Sequence, residues 1–256
     1  MSDPTDPTTW PDMNVFEAIY GLRATRIYQD KPIPNDVMAQ ILTATTRACS
    51  SGNTQPWEFV LVTDRAVKEQ LKAIISKEWS NVDARRAQPK EALVDSSGRP
   101  VTGHAAIENI DTVAALVFVF WNPDRGIRMQ GEYEENPDGT LRATAEFSGG
   151  RGASLFQACQ NMMLSAHALG VQSLFTTFFG LVPKETKELL HVPPRMFLEA
   201  TVFLGYGDEP LGKPKRRALR KVVHLNDWNG EYDPKTEPKA QQPKAQQPKA
   251  QQEVPA

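Results

Sequence analysis

Apolar positions along the chain fall into helical and strand-like rhythms. Val15, Ile19 and Leu22 sit at helical spacing behind Asn14 and Glu17, a capping-box pair, and predict a short first helix. Pro32 and Pro34 interrupt the chain, and Asn35-Asp36 then start a second predicted helix, 36–47, with Val37, Met38, Ile41 and Leu42 on one face. Trp57–Val62 (WEFVLV) reads as a strand, followed by Thr63-Asp64 as the cap of a helix carrying Val67, Leu71, Ile74 and Ile75. Ala114–Trp121 (AALVFVFW) is apolar without alternation, the pattern of a strand covered on both faces. Gly152–Leu169 predicts a helix that is apolar or small on most faces, closed by Gly170 as a left-handed cap and buried centrally or in a subunit interface. Phe197–Tyr206 (FLEATVFLGY) is a last long strand. Together these elements predict an α+β fold, a mixed central sheet flanked by helices, in a single domain over residues 13–230. Two polar, weakly patterned inserts interrupt it, at about 80–112 and 122–148; the second holds Asn-Pro and Pro-Asp-Gly steps suited to a hairpin or a flap.

The ends differ from this body. Residues 1–12 are rich in proline and small polar residues and predict a flexible arm. Residues 231–256 run into Pro-Lys-Ala-Gln-Gln repeats with almost nothing to bury, and predict a disordered tail. A net charge of -2 in 256 residues gives no basic field, so a nucleic-acid partner is not expected. No apolar segment reaches membrane-spanning length and no signal-peptide pattern opens the chain, so no membrane partner is expected either. Cys49 and Cys159 lie far apart and in no metal-ligand spacing, which predicts free thiols in a reducing cytoplasm and no metal site.

Candidate chemistry concentrates in few places. Ser50-Ser51-Gly52-Asn53-Thr54-Gln55-Pro56-Trp57 has little to bury and many hydrogen-bonding groups. The amides of Asn53 and Gln55 each carry a donor and an acceptor, which suits a heterocycle edge bearing both. Arg23 and Arg26, three apart, and Lys215, Arg216 and Arg217, after the last strand, offer cations for phosphate or simply two solvated patches. There is no Gly-x-Ser-x-Gly elbow and no P-loop, and His104, His167, His191 and His224 have no zinc-hydrolase spacing. Gly150-Arg151-Gly152 lacks both the preceding strand and the third glycine of a dinucleotide fingerprint, Leu155 standing in that place.

Four segments, in order, make the chain resemble the FMN-dependent nitroreductase family. They are Arg23-Ala24-Thr25-Arg26 with Asp30 and Pro32-Ile33-Pro34; the Ser50–Trp57 loop; Asn161-Met162-Met163-Leu164-Ser165-Ala166 through Gly170; and Leu204-Gly205-Tyr206-Gly207 followed by Arg217 and Trp228. The resemblance runs from about Val15 to Trp228 and fades between residues 80 and 148. It implies an FMN-binding domain in an intertwined homodimer with the flavin at the interface. Arg23 would lie nearer the phosphate and Arg26 nearer the pyrimidine edge or ribityl chain. Asn53 and Gln55 would read polar edges of the ring, Ser50 and Ser51 would line the same rim, Thr176 and Thr177 would face the ring near N5, and Lys215 and Arg217 would hold the phosphate. Phe178, Phe179 and Tyr133 are candidates for a substrate wall, with core packing an equal alternative for the phenylalanines.

The resemblance also implies a chemistry in which the protein supplies no catalytic acid–base pair. Hydride from NADH or NADPH passes through flavin N5 to a small aromatic acceptor, a nitroaromatic or quinone, in ping-pong fashion. Reductive dehalogenation or flavin cleavage on the same scaffold, or flavin binding without turnover, are the alternatives. Three departures from the family pattern stand out: Cys49 where proline is common, Leu22 in place of a frequent arginine, and Thr176–Phe179 without the Glu-Gly of the enteric enzymes.

Overall fold

The computed structural model describes residues 3, 5, 6, 8, 10–85, 103–126, 133–143, 151–207 and 216–235. The chain divides into two compact units, Met1–Gly212 and Lys213–Ala256, so the predicted domain end at 230 falls inside the second unit. The repeat tail beyond Lys235 lies outside the described residues.

The first unit opens with α1 (Val15–Gly21), whose predicted capping box is present. Asn14 Oδ1 accepts from the N–H groups of Phe16 and Glu17, both at 3.0 Å, and Glu17 Oε2 accepts from Asn14 N–H at 3.1 Å. Then follow α2 (Asn35–Thr45), β1 (Trp57–Val62), α3 (Arg65–Arg85), α4 (Gly103–Glu108) and β2 (Ala115–Trp121). A hairpin of β3 (Tyr133–Glu135) and β4 (Leu141–Ala143) precedes α5 (Arg151–Ala168), β5 (Gln172–Thr176), α6 (Pro183–Leu189) and β6 (Phe197–Gly205).

The main sheet has the order β1-β2-β6-β5, every named pair antiparallel. A parallel bridge from Ala24 to Ser173 on the outer edge of β5 gives the sheet its mixed character. All seven residues of β2 are buried, as its unbroken apolar run predicts. Its side chains alternate between two cores. Leu116, Phe118 and Phe120 join Leu71, Ile75 and Trp79 of α3, Ile107 of α4, and Phe178 and Phe179. Ala115, Val117, Val119 and Trp121 join Met38 and Ile41 of α2 and Leu155, Ala158, Cys159, Met162 and Ala166 of α5. The sheet is thus the middle layer of three. Cys159 is sealed in this second core, and burial pushes its thiol up to about 12.

The structure departs from the patterning at several points. Helix α3 continues to Arg85, a few residues into the weakly patterned stretch from about 80, while its stripe of Leu71, Ile75 and Trp79 at four-residue spacing ends just before that stretch, Trp79 packing edge-on against Phe178 at 5.9 Å. Lys68 on the same helix is buried; its ammonium donates to Val113 O at 2.6 Å, and desolvation lowers its pKa. Short strand β5 and helix α6 carry too few apolar residues for a pattern to show. Helix α5 buries one stripe, while its outer face, including Phe156, stays exposed in the single chain. Gly170 closes it with φ +76°, as expected. Helix α1 buries only Ala18 and leaves Val15, Phe16, Ile19 and Tyr20 exposed.

Phe178 and Phe179 belong to the core: Phe179 has no exposed surface and meets Phe118 edge-on at 5.0 Å. The substrate-wall alternative for these two rings gives way to packing, since their faces are spent on Phe118, Trp79 and Phe203. Truncation by Phe179→Ala is expected to cost about 3–5 kcal/mol of stability, the scale for emptying a buried aromatic site, measured by chemical denaturation.

Candidate functional site

The Ser50–Trp57 loop is held in an uncommon backbone conformation. A single 3₁₀ turn over Ser51–Asn53 closes on Asn53 N–H to Ser50 O at 3.0 Å, and the Ser50 hydroxyl accepts from Gln55 N–H at 3.0 Å. Gly52, Asn53 and Gln55 have φ values of 57°, 53° and 48°. Glycine takes this region freely and asparagine tolerates it, but glutamine rarely does. Both amide side chains are exposed, and neither makes a hydrogen bond among the described residues. The loop therefore holds two unspent donor–acceptor pairs on strained backbone, the arrangement that ligand-binding segments use. Pro56 and Trp57 below it are buried. The Cys49 thiol beside it is exposed.

The arginine segment sits elsewhere. After α1 the chain joins the β5 edge, with Thr25 N–H donating to Ser173 O at 3.0 Å and Tyr28 Oη donating to Thr25 O at 2.6 Å. Thr25 and Tyr28 are buried, while Arg26 between them and Arg23 just before them are half-exposed. Arg23 Nη1 donates to Tyr20 O at 2.7 Å and Leu22 O at 2.6 Å, which lays the guanidinium over the C-terminal carbonyls of α1. His167 of α5 packs on Gly21 so closely that a Cβ there would stand 2.3 Å from its Nε2. Desolvation first, then the charge of Arg23, lowers the His167 pKa below the ordinary 6.5.

The ladders fix where these two walls stand. Trp57 pairs with Trp121 at the end of β2, on the β1 edge. Ala24 lies against Ser173, which pairs with Leu204, which in turn pairs with Ala115 at the other end of β2. The two anchors occupy diagonal corners of the sheet, about four strand spacings across and one strand length along, roughly 25 Å apart. Within one chain, Arg23 and Arg26 are not brought to Asn53 and Gln55.

Thr176 ends β5, its Oγ1 accepting from Phe178 N–H at 3.2 Å, and Thr177 is exposed at the start of the 3₁₀ turn over Phe178–Leu181. Tyr133 begins β3, but its side chain and the whole of Lys215 lie outside the described residues. Arg217 is an exposed residue of the second unit. That unit contains a bridge between His224 and Glu231, a stack of His224 on Trp228 with ring centroids 4.6 Å apart, and exposed Leu219, Val222, Leu225 and Trp228. Among the described residues no three His, Cys, Asp or Glu side chains gather to hold a metal, and no helix is long and apolar enough to cross a membrane. Sequence patterning did not place His167 against Gly21 or the turn after β2 against the Ser50–Trp57 loop: nothing along the chain announces a neighbour made by packing.

Residues 19–206 match the Nitroreductase family, and the chain belongs to that family. An NADH dehydrogenase of Thermus thermophilus is 26% identical over 219 residues, covering 84% of this chain and 97% of that protein. Iodotyrosine deiodinase 1 of Rattus norvegicus is 26% identical over 210 residues, covering 81% of this chain and 68% of that protein. Among solved structures, the NADPH:FMN oxidoreductase of Vibrio harveyi complexed with NAD+ shares the fold with a TM-score of 0.61 at 20% identity, over 86% of this chain and 80% of that one.

Because the His167 pKa is lowered in the folded chain, the unfolded chain binds this proton first. The stability held here is complete above the ordinary value of 6.5 and is lost as the pH falls below it toward the folded pKa. Urea midpoints measured from about pH 7.5 to about pH 5.5 are expected to fall more steeply for the wild type than for His167→Gln.

Proposed function

We propose that the protein is an FMN-dependent oxidoreductase that takes hydride from NADH or NADPH and reduces a nitroaromatic or quinone in ping-pong fashion. The observation that carries this is the strained loop presenting Asn53 and Gln55, whose exposed amides suit the alternating donor and acceptor groups of a flavin pyrimidine edge. Ser50 and Ser51 line the same rim. Arg23 and Arg26 supply the cations an anionic cofactor needs. Thr176 and Thr177 flank the ring, and Tyr133 is kept for the acceptor side.

Since the loop and the arginine segment stand at diagonal corners of one sheet, the site is completed between two copies of the chain. The exposed apolar residues of α1 and the outer face of α5 favour the same homodimer. When bound, a flavin would supply the redox chemistry of hydride transfer. Arg26 would supply positive charge to that chemistry, without a proton transfer by the protein. Free Cys49 and Cys159 fit a cytoplasmic setting.

A second reading, reductive dehalogenation of a halogenated phenol, is favoured by the similarity to the rat deiodinase. Both readings require a flavoprotein. The purified protein is expected to be yellow, or to take up FMN, and to oxidise NADH or NADPH with a nitroarene or quinone, giving parallel double-reciprocal plots. A colourless protein that does not take up FMN defeats both readings, and halide release from a halophenol under reducing conditions would select the second. Asn53→Ala and Gln55→Ala are each expected to weaken FMN binding about tenfold, the equivalent of one well-placed hydrogen bond, measured by fluorescence titration.

A further inference from the structure

The turn that follows β2 is fastened to the base of the Ser50–Trp57 loop. Asn122 N–H donates to Pro56 O at 2.7 Å and extends the β1–β2 ladder by one bond. Arg125 Nη2 donates to Trp57 O at 2.9 Å and pairs with the Glu58 carboxylate, which also accepts from Asn122 Nδ2 at 3.0 Å. The turn has its own support. Asn122 Oδ1 accepts from Asp124 N–H at 2.9 Å, Asn122 O accepts from Gly126 N–H at 2.9 Å, and Asp124 pairs with Arg195 at 2.7 Å. Gly126 lies on the Trp121 indole, where a Cβ would stand 2.1 Å from the ring.

This matters because of what stands next in the chain. Pro56 has no N–H, so its carbonyl is its one backbone anchor, and Asn122 holds it. Gln55, the residue before, has φ 48°, and Asn53, two further back, has φ 53°. Such conformations persist only when their surroundings over-determine them. On the far side of these residues the loop is tied to Ser50; on the near side it is tied to Asn122 and Arg125.

We propose that Arg125, with Asn122, is a positioning residue for Asn53 and Gln55, holding the loop preorganised for the flavin edge. This rests on the flavin reading for its ligand, while the clamp itself is testable without one. Arg125 is 43% exposed in its side chain, so its removal leaves the fold standing.

The test uses the full chain. Arg125→Ala is expected to speed hydrogen exchange at the Asn53, Thr54 and Gln55 amides, with β2 and β6 amides unchanged, and to weaken FMN binding about tenfold. In an Asn53→Ala, Gln55→Ala background the same substitution is expected to change FMN affinity less than about twofold, because both groups it positions are gone. Arg125→Lys is expected to recover part of the affinity, one ammonium serving Trp57 O or Glu58 but not both with a planar fork. Unchanged exchange in the loop, or a full tenfold effect of Arg125→Ala in the doubly substituted loop, overturns the proposal. Faster loop exchange in a protein that takes up no FMN supports the clamp and removes the flavin reading instead.

Discussion

Strand β2 has no side that faces water. Seven consecutive buried residues, with Phe118 and Phe120 on one face and Val117, Val119 and Trp121 on the other, demand a helical layer above and another below. Helix α3, α4 and the Phe178–Leu181 turn meet the first demand, and α2 and α5 the second. Everything the functional surface uses hangs from this strand. Its C-terminal end anchors the amide loop through Trp57 and Asn122, and the ladder from its N-terminal end leads across β6 and β5 to the arginine segment.

The two corners are built by different physics. At the β5 edge the chain buries Thr25 and Tyr28 and leaves Arg23 and Arg26 half-exposed, an ordinary consequence of a segment laid on a sheet edge. At the β1 edge the loop accepts left-handed backbone at Asn53 and Gln55, which costs stability and is repaid by Ser50, Asn122 and Arg125. A rigid sheet between them prevents either corner from migrating toward the other. Under the proposed flavin reading, that rigidity assigns a small ligand touching both kinds of wall to a second copy, an arrangement the exposed apolar side chains of α1 suit.

Much of this was legible in the sequence. The unbroken run of β2, the stripe of α2, the box at Asn14 and Glu17 and the left-handed Gly170 are local or periodic signals, and each reappears in the fold. The candidate loop was legible as well, since two amides and a Pro-Trp step amid small residues have too little to bury for an ordinary core segment. Strand β5 (QSLFT) and helix α6 (PKETKEL) were not, because so few of their residues are apolar that no period shows.

What the sequence determined by itself, then, is the list of parts: which segments pair or pack, which loop has hydrogen-bonding groups to spare, and which family motifs run in order. Only the tertiary structure decided their relations. It spent Phe178 and Phe179 on the core, set His167 against Gly21 and near Arg23, put Arg125 under the loop, and separated the two walls across the sheet. The reason is physical. Periodicity reports which face a residue shows to its own element, whereas these outcomes depend on strand order and register, which long-range packing alone selects.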